Sequence, residues 1–179
     1  WMKNIAVQAA ASPIISHVVR TPVRINSSNL SLLFSSLDFR NIRVENPKNF
    51  KDRVMADISK IFIKIDIPSL FKGNVRIRKL TLDIEEIIIV KNAQGRLNIE
   101  VLKPPAKAGG RPQKSSENKK IPLHIDLFSL SIRHVLYKDY FDGGAPKVQV
   151  FEIGLQDRQF TNIEDMNAVV GLIIIETFT

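Results

Sequence analysis

The chain has 179 residues, a formal net charge of +8 and no cysteine, which excludes disulfides, thiolate metal sites and cysteine nucleophiles. That length suits one domain, or one piece of a longer repetitive protein, with a core of useful size. Abundant Ile, with Phe supplying ten of the thirteen aromatics, favours strands, and no window approaches about 18 consecutive apolar residues, so no membrane-spanning helix is expected.

Met2 to about Arg20 follows helical spacing, with Ile5, Ala6, Ala9 and Ala10 and then Ile14, Ile15, Val18 and Val19 on one stripe. Ser12-Pro13 is a break or a restart, and Thr21-Pro22 ends the element because the residue before proline leaves the helical region. Val23 to Ile25 and Leu30 to Phe34 are expected as short strands, Leu37 to Glu45 as a longer one, and Asn46 to Phe50 as a turn. From Met55 to Ile67 the alternation is clear: Ile61, Ile63, Ile65 and Ile67 share one face, and Phe62 is the lone apolar residue opposite. A connection at 68–74 leads to a strand from Val75, which Glu85-Glu86 separates from Ile87-Ile88-Ile89-Val90, a run apolar on both faces and so expected to be covered on both. Asn92 to Gly95 is expected as a hairpin loop from which Leu97, Ile99 and Val101 return. Residues 103–120, with three prolines and two glycines, read as a disordered basic insertion. Strands at 125–132 and Val148 to Leu155 follow, separated by a turn at Asp142-Gly143-Gly144. Thr161-x-x-Glu164 resembles a capping box ahead of a helix from Met166 to about Glu176, although Leu172 to Ile175 could equally form a strand.

One pattern recurs: apolar-x-apolar, two residues, apolar-x-apolar. It reads Leu37-x-Phe39-x-x-Ile42-x-Val44, then Val75-x-Ile77-x-x-Leu80-x-Leu82, then Ile125-x-Leu127-x-x-Leu130-x-Ile132. Alternation alone would throw the second pair onto the opposite face, and a β-bulge restores the phase. Starts at 37, 75 and 125 give intervals of 38 and 50 residues, which agree once the basic insertion is removed. The expected fold is therefore α+β and β-dominated: a strongly curved, mostly antiparallel sheet, open as a half-barrel or groove, with an N-terminal helix and a C-terminal helix. Residues 1–20 form the helix packing on or leading into the sheet, and 21–179 form a single curved β domain interrupted at 103–120.

Val44-Glu-Asn46-Pro47-Lys-Asn-Phe50 resembles the "xNPxGF" turn of AsmA-like proteins, and the downstream strand, Ser69-Leu70, Gly73 and the run Val75 to Asp83 are similar to the same family. The stretch Ile89-Val90-Lys91-Asn92-x-x-Gly95-Arg96-Leu97-Asn98-Ile99-x-x-Leu102 resembles the family's "G-x-x-N-hydrophobic-x-x-L" ending. The match covers roughly residues 20–103 and loosens from 121 onward; it departs at Asn49, where the family often has Gly, and in the basic insertion. The resemblance implies a bacterial envelope protein, periplasmic and inner-membrane anchored, related to repeating β-groove lipid-transfer proteins and to outer-membrane biogenesis. Trp1 in place of Met and an end inside an apolar run suggest a fragment or processed chain, so the anchor would lie upstream of Trp1. Cysteine-free composition suits an oxidising compartment.

The candidate lipid-groove face is Leu37, Phe39, Ile42, Val44, Ile61, Ile63, Ile65, Ile67, Val75, Ile77, Leu80 and Leu82. An ordinary closed core explains the same residues, and both readings stand at this point. Lys103, Lys107, Arg111, Lys114, Lys119 and Lys120, against Glu117 alone, are candidates for anionic-headgroup contact; the bland reading is a solvated loop. Nucleic acid is the weaker partner, since that basic stretch has no aromatic for stacking. His17, His124 and His134 lack a carboxylate cluster, and Asp139-x-x-Asp142-Gly143-Gly144 lacks the alternation of a calcium loop, so no metal, cofactor or catalytic residue is assigned. The expected function is a non-enzymatic module that binds or conducts phospholipid or another acyl-chain ligand. The alternative is a structural protein whose sheet edges pair copies into homo-oligomeric rings or filaments.

Overall fold

A computed structural model describes residues 21–31, 35–102 and 123–178. The helix expected at 1–20 and the insertion at 103–120 lie outside the described residues, as do the six basic residues assigned to headgroup contact.

Six strands form one open sheet in chain order: β1 (Val23–Ser31), β2 (Ser36–Glu45), β3 (Val54–Ile65), β4 (Val75–Lys91), β5 (Leu123–Asp139) and β6 (Lys147–Ile163). Neighbours run antiparallel except β4 and β5, which are parallel, so the sheet is mixed. Two helices accompany it, α1 (Ile67–Phe71) between β3 and β4 and α2 (Met166–Phe178) after β6, with a 3-10 helix at Asn98–Leu102.

One face is apolar. Leu80, Leu82, Ile84, Ile87 and Ile89 of β4 pack with Ile125, Phe128, Leu130, Ile132 and Val135 of β5 and with Val169 of α2. A second cluster, Val23, Phe39, Ile42, Val44 and Met55, joins the first through Ile58, Ile61 and Ile63. Phe128 stacks on Phe160 with ring centroids 5.8 Å apart. The opposite face carries ion pairs between strands, including Arg43–Asp57, Arg76–Asp126 and Arg133–Glu85.

The recurring pattern is more widespread than the three copies suggest. Phe39 and Ile42 are both buried while Arg40 and Asn41 between them are exposed, and Asn41 takes φ 52°. The same three-residue step occurs at Ile25 to Ser28 in β1, Ile58 to Ile61 in β3, Ile84 to Ile87 in β4 and Ile132 to Val135 in β5. Strand register stacks these steps side by side: Phe39 faces Ser28 and Ile61, Ile42 faces Ile25 and Ile58, Ile58 faces Ile84, and Ile84 faces Ile132. A seam of phase breaks therefore crosses the sheet through Asn26, Asn41, Ser59, Glu85 and Arg133, and reaches β6 near Gly154 at φ 61°. Because the breaks coincide, the β1–β2 and β2–β3 ladders keep one offset across the seam. The β3–β4 ladder shows it as two shifts on either side of Ile58.

Several expectations change. β3 stops at Ile65: Pro68 favours the first turn of a helix, and Ile67 begins α1. Glu85-Glu86 does not end a strand, since it is the two-residue gap of one more copy, Leu82-x-Ile84-x-x-Ile87-x-Ile89, inside the 17-residue β4. The copy in β5 starts at Leu123 and not Ile125, because Ile77 pairs with Ile125 and Leu80 with Phe128; Phe128 is buried and Leu127 falls in the gap. The return strand after Gly95 is a single bridge, Lys91 to Leu97, followed by the 3-10 helix. A parallel β5 must start at the far end of the sheet, so the chain has to leave β4 rather than fold back along it. β6 continues to Ile163 with Thr161 paired to Leu127, so the cap of α2 is Asp165, whose Oδ1 accepts the Ala168 N–H at 2.8 Å.

Candidate functional site

The twelve candidate groove residues form a gradient along the strands. Phe39, Ile42, Val44, Leu80 and Leu82 are buried; Leu37, Ile61, Ile63, Ile65, Val75 and Ile77 are half-buried; and Ile67 is exposed on α1. Register explains the order. Leu37 pairs with Ile63, Ile65 with Ile77, and Val75 with Leu123, so most of the half-buried residues lie at the α1 end of the sheet. Ile87, Ile88, Ile89 and Val90 are all buried at the opposite end, in keeping with their two-sided apolar pattern.

That opposite end is closed by a pair of buried amides. Asn98, 1% exposed, stands beside β4 beyond the point where β3 stops pairing. Its Oδ1 accepts the Val90 N–H at 2.9 Å, and its Nδ2 donates to the Ile88 carbonyl at 2.7 Å and to Asn46 Oδ1 at 2.7 Å. Asn46 Nδ2 in turn donates to the carbonyls of Asp52 and Val54, each at 3.0 Å. A carboxamide offers one acceptor and two donors, which lets Asn98 stand in for the missing strand on both of its ladder positions. The Asp52 carboxylate of the same turn pairs with Lys138. Partial burial, and secondarily a hydrogen bond to Asp52, hold the Tyr140 phenol above its ordinary pKa. Asn46 and Asn98 belong to the two separate turn motifs noted in the sequence; nothing in their spacing pointed to contact between them.

On the polar face the seam opens a cleft of about 550 Å³. Gap residues of the seam supply much of its lining, Asn26, Asn41, Ser59, the adjacent pair Glu85 and Glu86, and His134, with Arg43, Asp57 and Ile58 beside them. Arg43, Asp57, Glu86, His134 and Glu152 are successive cross-strand neighbours on five strands. Arg43 Nε meets Asp57 at 3.3 Å, and His134 Nε2 meets Glu86 at 2.9 Å. Glu85 pairs with Arg133 at 3.0 Å, and Ser59 Oγ donates to the Asp83 carbonyl at 3.0 Å. Each ionisable side chain lining the cleft thus engages an opposite charge or a hydrogen-bonding ring, which makes the row a bracing of the polar face. Of the three copies legible in the sequence, only the first places a spacer residue, Asn41, in this cleft; Glu85-Glu86 reads there as a break between strands, and Asn26 and Ser59 carry no signal.

His124 sits 3.3 Å from Asp126, which also takes Arg76 at 2.9 Å; His17 lies outside the described residues. Among the described residues no group of three His, Asp or Glu side chains is placed to hold a metal ion. At the turn around Asp142-Gly143-Gly144, Asp139 accepts the Phe141 N–H at 2.8 Å and pairs with Lys91, while Asp142 pairs with Lys147. The Asp139 carboxyl is held below its usual range, first by that backbone hydrogen bond and then by Lys91. Comparison with known protein families, curated proteins and solved structures returns no match.

Proposed function

We propose that this chain is a non-enzymatic module of AsmA-like type whose one-sided apolar sheet binds an acyl chain of phospholipid in the bacterial envelope. The observation that carries this reading is a gradient on β2, β3 and β4: tight packing beside the Asn46–Asn98 pair gives way to half-buried Leu37, Ile63, Ile65, Val75 and Ile77 at the α1 end, next to the buried Ile125 and Phe128 of β5. A lipid lying over those side chains would bury methylenes at about 0.8 kcal/mol each. Strong curvature, forming a groove, is part of the proposal; the seam of phase breaks supports it, because bulges bend and twist the strands that carry them. The hydrogen bond between the two asparagines of the AsmA-like motifs also supports it. Periplasmic placement, inner-membrane anchoring and a role in outer-membrane biogenesis follow from the resemblance alone. The test is native mass spectrometry with lipid extraction of the purified chain. Co-purified phospholipid is expected, and a folded chain free of lipid that acquires none from vesicles would overturn the reading.

A second reading has its own observation. β6 is a 17-residue edge strand with Val148, Val150 and Phe151 exposed, the kind of edge that pairs with another chain. If copies assemble through it, scattering will show mass that rises with concentration and falls on Val150→Lys substitution. Strictly monomeric scattering would remove it.

A further inference from the structure

α1 is built with its polarity reversed. Its buried residue is a serine: Ser69 Oγ donates to the Asp66 carbonyl at 2.7 Å and accepts the Arg76 N–H at 3.1 Å. Asp66 N–H also donates to the Arg76 carbonyl at 2.9 Å, so the helix is tied to the start of β4 on both sides of that serine. Ile67, Leu70 and Phe71 are consequently turned outward, 39%, 44% and 89% exposed. Isolated surface apolar residues are ordinary, but these three occupy one short helix whose polar residue holds them out. Turning them inward would break both Ser69 bonds.

The surroundings are cationic. Residues 64–79 carry Lys64, Lys72, Arg76, Arg78 and Lys79 against Asp66. Arg78 pairs with Asp66 and Arg76 with Asp126, while Lys64, Lys72 and Lys79 are exposed. An apolar tip with Lys72 next to it in sequence and the cross-strand pair Lys64–Lys79 at the same end of the sheet matches a bilayer interface, where phosphates lie above acyl chains. A second copy fits less well, since a two-fold contact would bring the same lysines face to face.

We propose that α1 is a membrane-contact element: Ile67, Leu70 and Phe71 enter the boundary between headgroups and acyl chains of an anionic bilayer, and Lys64, Lys72 and Lys79 meet its phosphates. This assignment goes beyond acyl-chain binding on the sheet and stands whether or not that face holds lipid. The test is cosedimentation of the whole chain with phosphatidylglycerol vesicles and with phosphatidylcholine vesicles. The chain binds the anionic vesicles more tightly, in a salt-dependent way. Leu70→Ser with Phe71→Ser lowers partitioning by about tenfold or more, and Lys64→Gln with Lys72→Gln and Lys79→Gln weakens it by on the order of tenfold or more and flattens the salt dependence. Both sets alter exposed side chains, so the urea midpoint stays that of the parent, which separates lost contact from lost fold. Phe71→Trp adds an emission component that shifts to shorter wavelength with anionic vesicles. Undiminished binding of the double serine variant overturns the proposal, as does equal binding to both vesicle types. So does a concentration-dependent self-association that the serine variant abolishes, which would make a second copy the occupant. Lipid extraction reads the sheet face separately, so failure of one proposal is distinguishable from failure of the other.

Discussion

The two ends of the sheet solve opposite problems with the same kind of residue, a small polar side chain bonded to backbone. At one end Asn98 and Asn46 are buried so that the β4 backbone at Ile88 and Val90 keeps its hydrogen bonds past the last residue that β3 pairs. At the other, Ser69 is buried so that Leu70 and Phe71 are not covered. Burying a polar group costs free energy unless it is hydrogen-bonded, and each site satisfies that requirement with backbone partners. At one end the polar residue closes the edge of β4, and at the other it holds the apolar side chains of α1 outward.

The sharpest break of this contrast is Asn98→Ala, which leaves the Val90 N–H, the Ile88 carbonyl and Asn46 Oδ1 without their partner. A loss of about 4 kcal/mol is expected, from about 1–3 kcal/mol per buried unsatisfied group with partial relief by water. Urea unfolding measures it; a loss below about 1 kcal/mol would mean the amide pair does not close that end.

A matched pair of truncations follows along β4. Ile89→Ala, at the closed end, is expected to cost about 3 kcal/mol, and Ile77→Ala, half-buried toward α1, about 1 kcal/mol. Equal losses in the same unfolding assay would erase the gradient on which acyl-chain binding rests.

The smallest effect is on pH. The Asp139 carboxyl at the closed end has its folded pKa lowered by the Phe141 N–H and Lys91. Its contribution is therefore present above the ordinary carboxylate pKa and is lost as pH falls through the lowered folded value. Asp139→Asn should lower stability slightly at neutral pH and converge with the parent as pH falls, so that its acid limb is flatter. A parent and variant with superimposable acid limbs would show that Asp139 contributes nothing there.

Much of the strand layout was legible because alternation reports which face a side chain takes. Phe39, Ile42, Val44, Leu80 and Leu82 are buried on the face that the repeated spacing assigned them. The copy at β5 was misplaced by two residues because Leu127 and Phe128 are both apolar, and only pairing with Ile77 and Leu80 fixes which of them enters the core. Ile67 was lost to α1 for a related reason: alternation continues through Asp66 and Ile67, while Pro68 decides where the strand ends. The cleft lining was hidden because Asn26, Ser59 and Glu85-Glu86 lie outside the three copies that spacing reveals, and only strand pairing aligns them with Asn41.

The sequence by itself determined the β-dominated class, the apolar face and the phase breaks, because each depends on residues within a few positions of one another. Tertiary structure alone decided the parallel pairing of β4 with β5, the seam across neighbouring strands, the contact of Asn46 with Asn98, 52 residues apart, and the outward turn of Phe71. Each of these depends on which distant backbone groups remain unpaired once the strands have chosen their neighbours, and local spacing carries no record of that choice.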